Sequence, residues 1–196
     1  MHFTKADEVI AAALVIINDA QKRCGTTKVV AIDGPSGAGK TDFTVALADR
    51  LPHARVIHMD DLYPGWDGLT QAVADVHDQV LAPLARGEQA AYRRWDWEND
   101  RYGEWLSLPP TSLLLLEGVG SGAQPGRQLE SALIWLEAGR DERFRRGIER
   151  DGDSYLPHWQ RWAAGEEALF AADGTRGTAD LIVHTGSPPV GGLEPL

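Results

Sequence analysis

The sequence predicts a three-layer α/β fold in which helices cover both faces of a five-stranded parallel sheet. Short apolar runs alternate with segments of helical periodicity along the chain, which is the signature of strands joined by crossover helices. The runs are also continuously apolar, as strands buried on both faces must be. In order, residues 4–23 predict a helix, with Thr4 as cap and Val9, Ile10, Ala13, Leu14 and Ile17 at helical spacing. TKVVAID (Thr27–Asp33) reads as a buried strand stopped by a Gly-rich turn, and Thr41–Arg50 as a helix. A second strand is expected over Ala54–His58, then a turn-rich stretch from Tyr63 to Gly68. A long amphipathic helix follows over Leu69–Ala85, with Asp67 as its cap. Residues 87–111 carry many aromatic and charged side chains and read as irregular. The most apolar strand is Ser112–Leu116, which runs into Glu117 and Gly118. The strand Ala132–Leu136 leads to a basic helix over Asp141–Arg150. A helix over Tyr155–Ala172, a strand over Ala179–His184 and an irregular Gly/Pro-rich tail complete the pattern.

Composition narrows the function classes. With 196 residues the chain suits a single domain, 1–196, and 43% hydrophobic against 24% charged residues is a globular balance. The net charge of −10 argues against a general nucleic-acid binder or an anionic-membrane binder, both of which rely on a broad basic surface. The lone Cys24 excludes a disulfide framework and a thiolate metal cluster, and suits a reducing cytosol. The apolar run Val9–Ile17 is too short to span a bilayer, and acidic Asp7 and Glu8 precede it where a signal peptide would be basic. A cytoplasmic protein is expected, without nucleic-acid or membrane partners. The composition permits a homodimer without requiring one.

The strongest motif is GPSGAGKT (Gly34–Thr41), which fits G-x-x-x-x-G-K-[ST] at every fixed position, with a strand entering and a helix leaving. Glycines at 34, 37 and 39 let the backbone curl so that N–H groups, including those of Ser36 and Ala38, can point at phosphate oxygens. The helix that starts near Lys40 adds the positive end of its dipole. Lys40 suits the β- and γ-phosphates and the Thr41 hydroxyl suits Mg²⁺, so the loop implies an ATP–Mg²⁺ site. The alternative is a tight Gly-rich turn that binds nothing.

Other strand ends supply the remaining chemistry. Glu117, at the exit of a buried strand beside the loop, can hold Mg²⁺ or its water shell; otherwise it is a charge at a strand end. Asp60 and Asp61 end the second strand and point in different directions, so only one is expected to face the site, where it would orient an acceptor hydroxyl and take its proton. Arg143, Arg146 and Arg150 fall on one face of the basic helix, and at least one is expected on phosphate, with Arg145 outward in pairs with Glu142 and Glu149. Trp95-Asp96-Trp97 either stacks a flat substrate with Asp96 on a hydroxyl, or packs core. Trp66, Trp105, Trp135, Trp159 and Trp162 read as packing residues. The histidines show no zinc-ligand spacing.

Together these blocks resemble the uridine kinase-like family of P-loop kinases, the branch that includes phosphoribulokinase and pantothenate kinase, over about Lys28 to Gly186. Met59-Asp60-Asp61-Leu62-Tyr63 is similar to the family's D-x-F-Y block, which implies Asp60 as the acceptor base and Tyr63 as a pocket wall. Trp95-Asp96-Trp97 resembles its acceptor-contacting Y-D-F/H element, Leu116-Glu117-Gly118 its strand-ending E-G, and Arg143–Asp151 its lid helix. Ala179–Val183 resembles its closing strand. The resemblance implies a P-loop NTPase fold with a short Arg-rich lid at about 140–153 and an acceptor-side segment at about 60–110. It implies ATP and Mg²⁺, catalytic roles for Asp60, Lys40, Arg143 and Arg146, nucleotide contacts from the loop and Arg150, and Thr41 with Glu117 on the metal. The chain departs from uridine kinases in carrying Trp in the aromatic block and Glu98-Asn99-Asp100 where a histidine would follow. The loop also resembles that of cytidylate kinase.

The reaction expected is transfer of the γ-phosphoryl group of ATP to a hydroxyl of a small acceptor, with nucleosides the first candidates. A nucleoside-monophosphate kinase is the nearest alternative, with Arg93, Arg94 and Arg101 available to its second phosphate. A nucleotide sensor without acceptor chemistry is the third. A GTPase is disfavoured because the chain has no N-K-x-D element.

Overall fold

A computed structural model describes residues 5–152 and 156–186. The proposed Thr4 cap, the end of the expected lid at 153, the expected helix start at Tyr155 and the tail beyond 186 lie outside them. The chain runs through α1 (Lys5–Asp19), β1 (Lys28–Asp33), α2 (Lys40–Ala48) and β2 (Arg55–His58). It continues through α3 (Leu69–Val76), a π-helical turn (His77–Leu81) and α4 (Ala82–Ala85). After these come β3 (Ala90–Asp96), β4 (Arg101–Leu108), β5 (Leu113–Glu117), β6 (Ala132–Glu137), α5 (Arg140–Asp151), α6 (Leu156–Asp173) and β7 (Leu181–His184).

Five strands form one parallel sheet in the order β2-β5-β1-β6-β7. Alternate residues of its central strands point to opposite faces. Val30, Ile32 and Leu115 pack with α1 and α2, whereas Val29, Leu114 and Leu116 pack with α3 and Trp162 of α6. Both faces are covered, which is why the central strands had to be apolar throughout. β1 sits between β5 and β6, so successive crossovers leave it in opposite directions. That is the switch point of an open α/β sheet, where a crevice opens beyond the strand ends.

Two expectations need correction. Residues 87–111 are not irregular: β3 and β4 form an antiparallel hairpin beside the main sheet. Its tip passes through Asp100 in a left-handed conformation, φ 50°, and Asp96 accepts the Asn99 N–H at 3.1 Å, so a short polar turn reverses the chain. The exposed faces of a two-stranded ribbon need no apolar residues, so the period-2 signal was faint. Asp67 does not cap α3 either. Gly68 occupies that position without a side-chain cap, and Asp67 pairs instead with Arg161 of α6. The expected single helix over 69–85 is helical throughout, interrupted by the π turn. Among the described residues no helix is long and apolar enough to cross a membrane.

Candidate active site

The glycine loop leaves β1 at Asp33, whose carboxylate is fully buried. It accepts the N–H groups of Gly34 at 2.6 Å, Gly120 at 2.9 Å and Gly122 at 2.9 Å, tying the loop's entry to the turn after β5. Burial pushes this carboxyl up to about 6, against the pull of those N–H groups and of Lys40. Gly34, at φ 135°, must be glycine because a Cβ there would strike the Leu136 carbonyl. At Gly37, φ 77°, a Cβ would strike the backbone carbonyl of Arg143, so α5 lies directly against the loop. Lys40 opens α2, and its ammonium donates to the carbonyls of Gly34 at 2.8 Å and Pro35 at 3.1 Å. It is folded over the loop that an incoming phosphate would meet.

The register of the sheet places the next groups. Ile32 pairs with Glu117, and Glu117 with His58, so the last residue of β5 lies between the loop and β2. The Thr41 hydroxyl is 3.4 Å from Glu117 Oε1, and His58 Nδ1 is 2.6 Å from Oε2. That bond to Glu117 raises the His58 pKa. The donor set around Thr41 is oxygen only, the hard chemistry that suits Mg²⁺. No cluster of three or more metal-ligating side chains occurs among the described residues.

A short 3₁₀ turn, Met59–Asp61, ends β2 and splits the two aspartates. Asp60 faces a cleft of ≈ 960 Å³ that also holds the loop, Thr41 and Glu117, whereas Asp61 turns outward to Arg94 at 2.9 Å. Asp60 is open to water in the cleft but lies low among protein atoms. That crowding, and the charge of Glu117, raise its pKa above the ordinary carboxylate range. Tyr63 lines the same cleft, held by a 2.9 Å bond from its buried hydroxyl to the Val119 carbonyl.

Opposite the loop the wall is aromatic. Trp66, Trp97 and Trp162 line the cleft, with Trp66 stacked on His158 at 4.5 Å and edge-on to Trp97 at 5.3 Å. The Trp97 indole N–H donates to the Asp60 carbonyl at 2.8 Å, which ties the hairpin to the aspartate turn. Trp95 and Asp96 are not in this wall. Trp95 packs edge-on against Tyr102 within the hairpin and Asp96 holds the hairpin turn through Asn99, whereas Trp97 lies just past the end of β3, in the turn, where its ring reaches the cleft. Trp66 and Trp162, expected to be packing residues, do line the cleft, and Trp105 is 61% exposed. Trp135 and Trp159 pack as expected, against Phe170 and Phe144.

The arginines of α5 separate by role. Arg146 and Arg150 line the cleft, and Arg145 points outward to Glu142 and Glu149. Arg143 does not line it: its guanidinium lies behind the loop, donating to the Ser36 carbonyl at 3.1 Å beside Trp159. Arg146 also donates to the Gly37 carbonyl at 3.3 Å and to Thr185. Sequence reasoning missed Thr185, His58 and Glu166. Glu166 is a buried carboxylate that accepts the Trp162 indole N–H at 2.6 Å and the Ser36 N–H at 2.8 Å, so the Ser36 N–H, expected to point at phosphate, is engaged by this carboxylate instead. A lone acid four residues after a tryptophan on an otherwise apolar helix face was its only signal.

No family model matches the chain. Among solved structures, it is similar to one titled a possible uridine kinase from Bacillus stearothermophilus, with a TM-score of 0.67 and 20% identity, covering 92% of this chain and 100% of that one. The chain has the fold of the uridine kinase-like P-loop kinases. A second structure with this P-loop kinase fold, D-glycerate 3-kinase from Cryptococcus neoformans, aligns with a TM-score of 0.58 and 12% identity, over 94% of this chain and 96% of that one. By sequence, the chain is 28% identical over 137 residues to inorganic pyrophosphatase TTM2 of Arabidopsis thaliana. That match takes in 63% of this chain and spans 20% of the relative's length.

Proposed function

We propose that the chain is an ATP-dependent phosphotransferase that moves the γ-phosphoryl group to a hydroxyl of a small, uncharged acceptor of nucleoside-like size. One observation carries this reading: the glycine loop and Asp60 open into a single cleft, facing each other across Thr41 and Glu117. The loop amides, Lys40, Arg146 and Arg150 would hold the polyphosphate and spread the charge that develops on the transferring group. Thr41 and Glu117 would hold Mg²⁺, which supplies neutralisation of the phosphate oxygens. Asp60 would orient the acceptor hydroxyl and take its proton as the oxygen bonds to phosphorus and the β–γ bridge breaks, leaving ADP. Its raised pKa makes it the stronger proton acceptor. The folds of a kinase described as acting on uridine and of one acting on D-glycerate support the reaction class.

The monophosphate-kinase alternative fits less well. It needs cations on the acceptor side, but Arg94 is paired with Asp61, Arg93 donates to the Tyr102 and Gly103 carbonyls, and neither they nor Arg101 line the cleft. The test is mass-spectrometric detection of products after incubation with ATP, Mg²⁺ and matched alcohols, nucleosides and nucleoside monophosphates. A product heavier by one phosphoryl group in the uncharged set is expected. Release of inorganic phosphate from ATP or pyrophosphate, with no phosphorylated acceptor, would overturn the proposal and favour the hydrolysis named in the Arabidopsis relative.

A further inference from the structure

Glu166 stands apart from the groups that a phosphotransferase reading uses. It is a carboxylate only 2% exposed, on the middle of α6, 130 residues from the loop it touches. One oxygen, Oε1, accepts two N–H groups that belong to two different elements lining the cleft. The Ser36 backbone N–H at 2.8 Å is part of the phosphate loop, and the Trp162 indole N–H at 2.6 Å is part of the aromatic wall. The other oxygen lies 3.8 Å from the Arg143 guanidinium, and that same guanidinium holds the Ser36 carbonyl at 3.1 Å. Ser36 is therefore gripped at both its N–H and its carbonyl by one buried acid–base pair. A buried carboxylate is costly unless fully engaged, so this arrangement needs all of its partners in place.

We propose that Glu166 is a positioning residue that couples the acceptor wall to the phosphate loop, so that the placement of Trp162 sets how well the loop grips nucleotide. The proposal rests on the phosphotransferase reading for what the loop binds. Tyr63 packs edge-on against Trp162 at 4.9 Å and Trp66 at 6.0 Å, so an acceptor resting on this wall presses on the indole that Glu166 holds. The indole cannot shift without moving the carboxylate, and the carboxylate cannot shift without releasing Ser36. The two halves of the cleft thereby share one hydrogen-bonded joint, the kind of contiguous link through which two ligands can influence each other.

The test measures binding of a non-hydrolysable ATP analogue with Mg²⁺ by calorimetry, with melting temperature recorded in parallel. Glu166→Ala frees the Ser36 N–H and is expected to weaken the analogue about tenfold. Glu166→Gln keeps an oxygen for both N–H groups and is expected to restore affinity to within about threefold of the parent. Trp162→Phe keeps an aromatic ring but loses the indole donor together with the pyrrole half of the ring, and is expected to weaken the analogue about threefold, with no further loss when added to Glu166→Ala. A merely structural glutamate would lower the melting temperature of each variant and leave affinity unchanged, or give losses that multiply in the double variant. Either result overturns the coupling while the parent still binds. A parent that binds no analogue would instead overturn the phosphotransferase reading itself. If Glu166→Ala does not fold, Glu166→Leu, which fills the space without an acceptor, takes its place in the cycle with Trp162→Phe.

Discussion

The two sides of the cleft are built by different means. The nucleotide side is a contiguous stretch, Asp33 to Thr41, fixed by backbone hydrogen bonds, glycine geometry and the register of β1 against β5. The acceptor side is assembled from three segments far apart in the chain, contributing Tyr63 with Trp66, Trp97 and Trp162, and is held by ring contacts. Phosphate chemistry is the same for every ATP-using enzyme and tolerates little variation in the loop. An acceptor wall answers only to the shape of one substrate. The first side can therefore be read from its letters, and the second can be read only after folding.

The comparison is broken most severely at Lys40. Replacing it with alanine removes the one lysine that lies over the loop and is expected to lower phosphoryl transfer by about a thousandfold, measured as labelled product per minute at saturating acceptor. Retained transfer would mean that the loop is only a turn. Asp33→Asn attacks the same side through stability. An amide offers one acceptor oxygen and turns an N–H₂ group toward backbone donors, so a loss of about 2–4 kcal/mol is expected, read as a melting temperature lower by roughly 5–10 °C.

Trp66→Ala sharpens the contrast from the other side. It removes the ring stacked on His158 and is expected to raise the acceptor KM about tenfold while leaving the affinity for an ATP analogue within about twofold. Equal loss for both ligands would mean that the two sides are not separately built. The smallest effect lies at Glu137, at the end of β6, which the Arg176 guanidinium foremost holds down at about 2. A carboxyl lowered in the folded chain lends stability above its ordinary value near 4.5, and that stability is lost as pH falls from there toward 2. Glu137→Gln is expected to flatten that part of the melting-temperature profile by roughly 1–3 °C, the modest yield of a partly exposed pair.

What was legible in the sequence follows the same division. Apolar runs placed the five sheet strands, most clearly the central β1, β5 and β6, where burial on both faces leaves little room for polar residues; the edge strands β2 and β7 are only partly buried. The motif placed Lys40 and Thr41, and strand ends placed Glu117 and Asp60 in the same cleft, because their positions depend on short-range geometry and sheet order. The hairpin was read as irregular because its outer face is solvated. Trp95 and Asp96 were grouped with Trp97 as wall residues because the sequence does not show that the strand ends at Asp96 and that Trp97 belongs to the turn. Trp66 and Trp162 do pack on the core, but the sequence could not show that they also line the cleft, because a tryptophan looks the same in sequence whether it lines a cavity or fills one. Arg143 shared a helix face with Arg146, yet only packing decided that its guanidinium sits behind the loop. Glu166 offered only its spacing from Trp162, since its meaning comes from Ser36 and Trp162 together.

The central claim is that a loop built for polyphosphate faces a carboxylate that receives a proton. Its most direct test is Asp60→Asn, assayed for transfer of γ-labelled phosphate to the acceptor and, separately, for binding of an ATP analogue. The account predicts transfer reduced by about 10²–10³-fold with analogue affinity within about twofold of the parent. Transfer at the parent rate, or loss of nucleotide binding in step with loss of transfer, would contradict it.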